Sequence, residues 1–138
     1  MQTITPYLLY EDTAAAIDWL SRAFGFEERL RFTDEGGTVT HAELALGDGA
    51  VYLGHPGPDY RSPKRQGTSS HLVHVYVEDI ETHHARAVAA GAAVPEGLQD
   101  TPYGDRRYDT EDLEGQRWSF AQKVKDVAPE EWGAAASS

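Results

Sequence analysis

The chain has 138 residues, no cysteine, 40% hydrophobic residues and a formal charge of −11. These figures exclude disulfides and thiolate chemistry, argue against a nucleic-acid partner because phosphate binding needs a basic surface, and allow one packed domain. No apolar stretch approaches the ~18 residues of a membrane span, and Met1-Gln2-Thr3-Ile4-Thr5 has neither a basic region nor a signal-like run, so the cytoplasm is the expected location.

Ile4 to Tyr10 reads as a strand. Thr13 fits a helix N-cap, and Ala14 to Phe24 is rich in helix formers, with Ile17, Leu20 and Phe24 on one face. Gly25 fits the C-cap position. Glu28 to Asp34 alternates polar and apolar residues, Glu35-Gly36-Gly37 turns the chain, and Thr38 to Leu46 continues as a longer strand. Gly47-Asp48-Gly49 turns it again into Ala50 to His55. The order is β-α-β-β-β. Residues 56–69 hold prolines, glycines and several polar residues and read as a linker. His71 to Val77 then predicts a strand, Ile80 to Ala90 a helix, and Ala93-Val94 the start of a weak strand. Asp105 to Glu111 and Arg117 to Gln122 form the last strands around a Leu113-Glu114-Gly115 turn. Residues 123–138 are an acidic, then Ala/Ser-rich tail.

The second half therefore repeats the plan of the first. Tyr10-Glu11-Asp12 and Val77-Glu78-Asp79 each end a strand and open a helix. Gly25 and Gly91 close those helices sixty-six residues apart, and Gly49 and Gly115 close the hairpin turns at the same spacing. A fixed period outranks any single motif in assigning a fold. The expected fold class is α+β, with two βαβββ modules at 1–55 and 70–122 forming one half-open mixed sheet that carries a cleft.

A duplicated unit of this size resembles the vicinal oxygen chelate superfamily, the glyoxalase, bleomycin-resistance and dioxygenase fold. The resemblance rests on Ile4-Thr5-Pro6-Tyr7-Leu8 before an Ala-rich helix and on Val75-Tyr76-Val77-Glu78-Asp79. It rests further on Tyr103-Gly104-Asp105-Arg106 followed by Leu113-Glu114-Gly115-Gln116-Arg117-Trp118, phrases similar to the PhnB-like, glyoxalase-like branch. It implies a divalent metal held by His, Gln or Glu on four strands, two from each unit. Counting from the turns places those positions at Thr5, Leu53, Leu72 and Ser119, with Tyr52 and His71 entering if the register slips by one. Such a set lacks the imidazoles and carboxylates that the cation needs. No metal and no other cofactor is expected.

Strand alternation assigns the other candidates. With Val73, Val75 and Val77 under the helices, Leu72, His74 and Tyr76 face the cleft. Ala42, Leu44 and Leu46 leave His41 and Glu43 on the opposite face, repeated as Arg107 and Asp109. Val51, Leu53 and His55 are assigned to the cleft side, as are Arg117, Ser119 and Ala121. His41, Glu43, His74, Tyr76, Arg107, Asp109, Arg117 and Ser119 together are too polar for a core and read as a ligand-binding set. Taken singly, each is a solvated rung of an open sheet as readily as a ligand contact. Arg107 and Arg117 supply planar donors, and His74 or Tyr76 would orient the ligand. His84 is expected to be half-buried and His83 exposed. Tyr60, Tyr103 and Trp132 lie on segments that can fold over the cleft.

The expected function is metal-independent binding and sequestration of a small organic ligand by a homodimer, with exchange of modules between chains left open. The rival is an enzyme: a glyoxalase-like lyase, isomerase or dioxygenase using non-standard metal ligands or a His or Glu general base. No catalytic residue is assigned.

Overall fold

The structure, a computed structural model, describes residues 2–137. Its first module runs β1 (Tyr7–Leu9), α1 (Thr13–Phe24), β2 (Glu27–Thr33), β3 (Val39–Leu46) and β4 (Gly49–Gly54). After a single helical turn, α2 (Pro63–Gln66), the second module runs β5 (Leu72–Tyr76), α3 (Ile80–Ala89), β6 (Gln99–Asp100), β7 (Asp105–Glu111) and β8 (Arg117–Lys123). Each module makes its own four-stranded mixed sheet, ordered β1-β4-β3-β2 and β5-β8-β7-β6. No described helix is long and apolar enough to cross a membrane.

The local reasons are readable in the residues. Asp12, one residue before the expected cap, accepts the Ala15 N–H and caps α1, while Thr13 becomes its buried first residue. Asp79 repeats the device on α3 by accepting the Thr82 N–H. The strand expected at Ala93-Val94 does not form. Pro95 lacks a donor and Gly97 adopts a positive φ, so extended pairing resumes only at the two-residue β6. The exposed edge strand β2 is crossed by Glu27–Arg29 and Glu28–Arg31 ion pairs, charges that discourage edge-to-edge pairing.

One core joins the modules. Phe24, at the end of α1, lies 5.5 Å from the Trp118 ring and 4.6 Å from Phe120 of β8. Phe26 lies 5.4 Å from Trp118. Burying aromatic side chains of this size is worth roughly 1.5–3 kcal/mol each. Arg86 of α3 donates to the Ser21 and Arg22 carbonyls, tying off the C-terminal end of α1. His83 is the main departure from expectation. It lies on the inward stripe of α3 with Ile80 and Ala87, 4.2 Å from the Phe120 ring, and its Nε2 donates to the Phe24 carbonyl. Burial lowers its pKa, with the Arg86 charge adding to the effect. His84 meets the edge of Tyr108.

Residues 56–69 are more than a tether. Ser62 caps α2, its backbone N–H donates to Glu11, and Arg65 pairs with Glu11 at 2.6 Å. Those hydrogen bonds, first from Ser62 and then from Arg65, hold the Glu11 carboxyl down at about 2. Gly115 adopts φ +86, and a Cβ there would lie 2.7 Å from the Lys64 nitrogen. Only glycine lets the β7–β8 turn and this segment approach so closely.

Candidate functional site

Alternation along β3 buries Ala42 and Leu44 and turns His41 and Glu43 to the face that carries no helix. The antiparallel register pairs Ala42 with Leu53 and Leu44 with Val51, so Val51 and Leu53 are core residues. The expectation that they line the cleft is corrected: on β4 the open face carries Tyr52. Tyr52 sits edge-on to Tyr7 at 5.7 Å and to His41 at 5.4 Å. Tyr7 Oη is 2.7 Å from His41 Nδ1, and His41 Nε2 is 3.0 Å from Glu43 Oε2. Because a carboxylate only accepts, Nε2 carries a proton, and in that tautomer of the neutral ring Nδ1 is the acceptor for the phenol. Tyr7 reaches His41 by lying over Gly54, where a Cβ would stand 2.6 Å from Tyr7 Cε1.

The other six candidates lie on the second sheet. The His74 and Tyr76 rings meet at 4.9 Å, and Tyr76 Oη donates to Asp105 Oδ2 at 2.8 Å. That hydrogen bond, reinforced by burial, raises the Tyr76 pKa. Arg107 binds both oxygens of Asp109, at 2.5 and 2.6 Å. Burial alone would raise Asp109, yet the Arg107 hydrogen bonds and the Arg107 and Arg117 charges hold it below the usual carboxylate range. Ser119 is 1% exposed, and its Oγ finds no hydrogen-bond partner within the protein. Asp105, 2% exposed, leaves Oδ1 unpaired. Arg117 borders a recess of about 350 Å³ with Asp109, Thr110 and Glu111, and a second of about 480 Å³ with Lys64 and Ser69. The tail brings Trp132 to 5.3 Å from the Tyr103 ring.

The eight candidates thus fall into two groups, His41 with Glu43 on one sheet and the remaining six on the other. Among the described residues, no hydrogen bond, ion pair or ring contact links the groups. Both sheets turn their helix-bearing faces to the shared core and their other faces outward. Tyr7 is 51% exposed, Phe32 60% and Tyr76 59%. Tyr7 and Asp105 are not among the site candidates that the sequence offers. The alternation that placed His74 would have placed Tyr7, had the repeat been aligned on the Asp12 and Asp79 caps.

The residues do not fit the metal set the fold suggests. Leu53 is buried in the core, and Thr5, Leu72 and Ser119 offer no imidazole or carboxylate. The open-face rungs that correspond across the repeat are Tyr7–Tyr52 and His74–Ser119, with one imidazole between them. Among the described residues, no three His, Asp or Glu side chains converge closely enough to hold an ion.

Two sheets of this topology, each with one bare polar-aromatic face, define a glyoxalase-like protein. A family model described as the glyoxalase/bleomycin resistance protein/dioxygenase superfamily matches residues 3–120, and the chain belongs to that family. It is 33% identical over 140 residues to an uncharacterized protein of Mycobacterium bovis, covering 98% of this chain and 92% of that one. An uncharacterized protein of Mycobacterium tuberculosis matches equally, with 82% of its length covered. Among solved structures, TioX from Micromonospora sp. ML1 is 37% identical with a TM-score of 0.72, covering 92% of this chain and all of TioX. A glyoxalase/bleomycin resistance protein/dioxygenase from Nocardioides shares the fold at 17% identity, with a TM-score of 0.66 and coverage of 94% and 88%.

Proposed function

We propose that this protein binds and sequesters a small organic ligand without a metal, as a cytoplasmic homodimer whose partner subunit completes each cleft. The observation that carries the reading is the pair of bare sheet faces. Tyr7, Leu9, Leu30 and Phe32 stand exposed on one, Leu72 and Tyr76 on the other, around polar groups that are already hydrogen-bonded. Apolar side chains ringing a few oriented polar groups are the usual composition of a ligand pocket. Neither face is enclosed by the chain that carries it, and a second copy placing one face opposite the other would enclose both. The donor set at the positions where relatives of this fold hold a cation favours binding over metal chemistry.

Tryptophan fluorescence tests it. Trp132 is partly exposed and lies against Tyr103, itself beside the candidate Arg107, so a ligand on the open face of the second sheet should quench it. Titration with bleomycin-type and flat aromatic compounds is expected to give saturable quenching that chelator leaves unchanged. Stoichiometric, tight uptake of Ni, Zn, Mn or Fe by untagged protein, or no quenching across the panel, overturns the reading.

A further inference from the structure

The first sheet carries an arrangement that ligand binding alone does not require. Tyr7, His41 and Glu43 form one hydrogen-bonded line, phenol to imidazole at 2.7 Å and imidazole to carboxylate at 3.0 Å. A weak acid, a base within hydrogen-bond reach and a third group orienting the base constitute the recurring design of an activated side chain. We propose that Tyr7, His41 and Glu43 are a proton relay that makes the Tyr7 phenol the proton acceptor for a flat organic ligand bearing an enolic or phenolic hydroxyl.

The direction of transfer follows from the partners. Glu43 fixes the ring with its proton on Nε2, leaving the Nδ1 lone pair toward Tyr7. A ligand hydroxyl approaching Tyr7 Oη gives up its proton there as the phenol proton passes to Nδ1. The O–H bond of the ligand breaks and its electron pair stays on the ligand oxygen. Tyr7 ends as it began, and the imidazolium is held beside the Glu43 carboxylate. One proton enters the relay and no other species is consumed.

The surroundings select the ligand. Tyr52 stands edge-on to Tyr7 and His41, and Leu9, Leu30 and Phe32 are exposed, which suits a flat, largely apolar molecule. The arginines of β2 are occupied by their own neighbours, Arg29 by Glu27 and Arg31 by Glu28. Neither of these paired guanidinium groups is free to hold a ligand that arrived already ionised. The ligand therefore arrives neutral and is deprotonated in place. Gly54 belongs to the device, because any side chain there would displace the Tyr7 ring from above the sheet and from His41.

The inference deepens the ligand-binding reading, but its test reads Tyr7 without a ligand. The full-length protein is treated with an aryl sulfonyl fluoride, which forms an O–S bond at a phenol as fluoride leaves and the phenol proton passes to a nearby base. Labelling of each tyrosine is followed by mass spectrometry. Tyr76 is the internal control, equally exposed but donating to a carboxylate that disfavours its ionised form. Tyr7 is expected to react at least about tenfold faster than Tyr76, a floor set below the ~10²–10⁴-fold that general-base assistance typically supplies. His41→Ala and Gly54→Ala should abolish that advantage, and Glu43→Gln should reduce it severalfold, with circular dichroism unchanged in all three. Equal labelling of Tyr7 and Tyr76, or a Tyr7 rate indifferent to His41→Ala, overturns the relay. Fast Tyr7 labelling without ligand quenching sinks the ligand reading alone.

Discussion

Tyr10 and Asp112, 102 residues apart in the chain, are joined by a hydrogen bond of 2.6 Å where the two modules meet. The same carboxylate accepts from Trp118 Nε1 at 3.1 Å and from the Glu114 and Gln116 backbone N–H groups. Burial raises the pKa of Tyr10 and of Asp112, and the proximity of Asp112 raises Tyr10 further. Asp112→Ala would leave four buried donors without their acceptor, so unfolding in urea should show a loss of about 3 kcal/mol or more. Asp112→Asn keeps one acceptor oxygen and should cost less. A loss under about 1 kcal/mol for the alanine variant would mean that water replaces the carboxylate.

Glu114 acts beside it. Its two oxygens accept the Glu11 and Asp12 N–H groups at 2.6 and 2.9 Å, placing a negative charge at the opening of α1. Glu114→Gln removes the charge and one acceptor, and should lower stability by about 1–2 kcal/mol in the same assay. An unchanged midpoint would show that the first turn needs no such partner.

His83 makes stability depend on pH. Its folded pKa lies below the unfolded value, so its contribution is fully present above the unfolded value of about 6.5. That contribution is lost as pH falls towards the folded value. Thermal melts should show Tm falling between pH 7.5 and 5.5, and His83→Phe should flatten that slope even if it lowers Tm throughout. An equal slope in both proteins would assign the effect elsewhere.

The proposed dimer is tested on its apolar faces. Phe32→Asp puts a charge on an exposed aromatic of the first sheet, away from the shared core. Sedimentation is expected to give twice the chain mass for the wild-type protein and a monomer, still folded by circular dichroism, for the variant. A wild-type protein that sediments as a monomer would remove the enclosed cleft.

Backbone strain gives a fifth prediction. Gly115→Ala forces both a disfavoured φ and contact with Lys64, and a cost of about 1–3 kcal/mol is expected from chemical denaturation. Tolerance would mean that α2 moves away freely.

The repeat was legible because its punctuation is local. Asp12 and Asp79 cap helices within their own segments, and Gly25 closes α1 in the left-handed conformation without help from distant residues. Alternation likewise placed His41, Glu43, His74 and Arg107 on open faces. It failed for Val51 and Leu53, because the face of β4 is set by its pairing with β3, and a slip of one residue reverses every side chain. It failed for His83, where helical phase depends on what α1 brings alongside.

The amino-acid order alone determined two βαβββ units and their helices, since each depends on neighbours a few residues away. Only the tertiary structure decided how the units face. Phe24, Trp118 and Phe120 gain more by meeting one another in a shared core than by remaining under separate sheets. That burial turns the bare faces outward and draws Tyr7 over Gly54 onto His41, contacts made by residues too far apart in the chain for any local pattern to reveal.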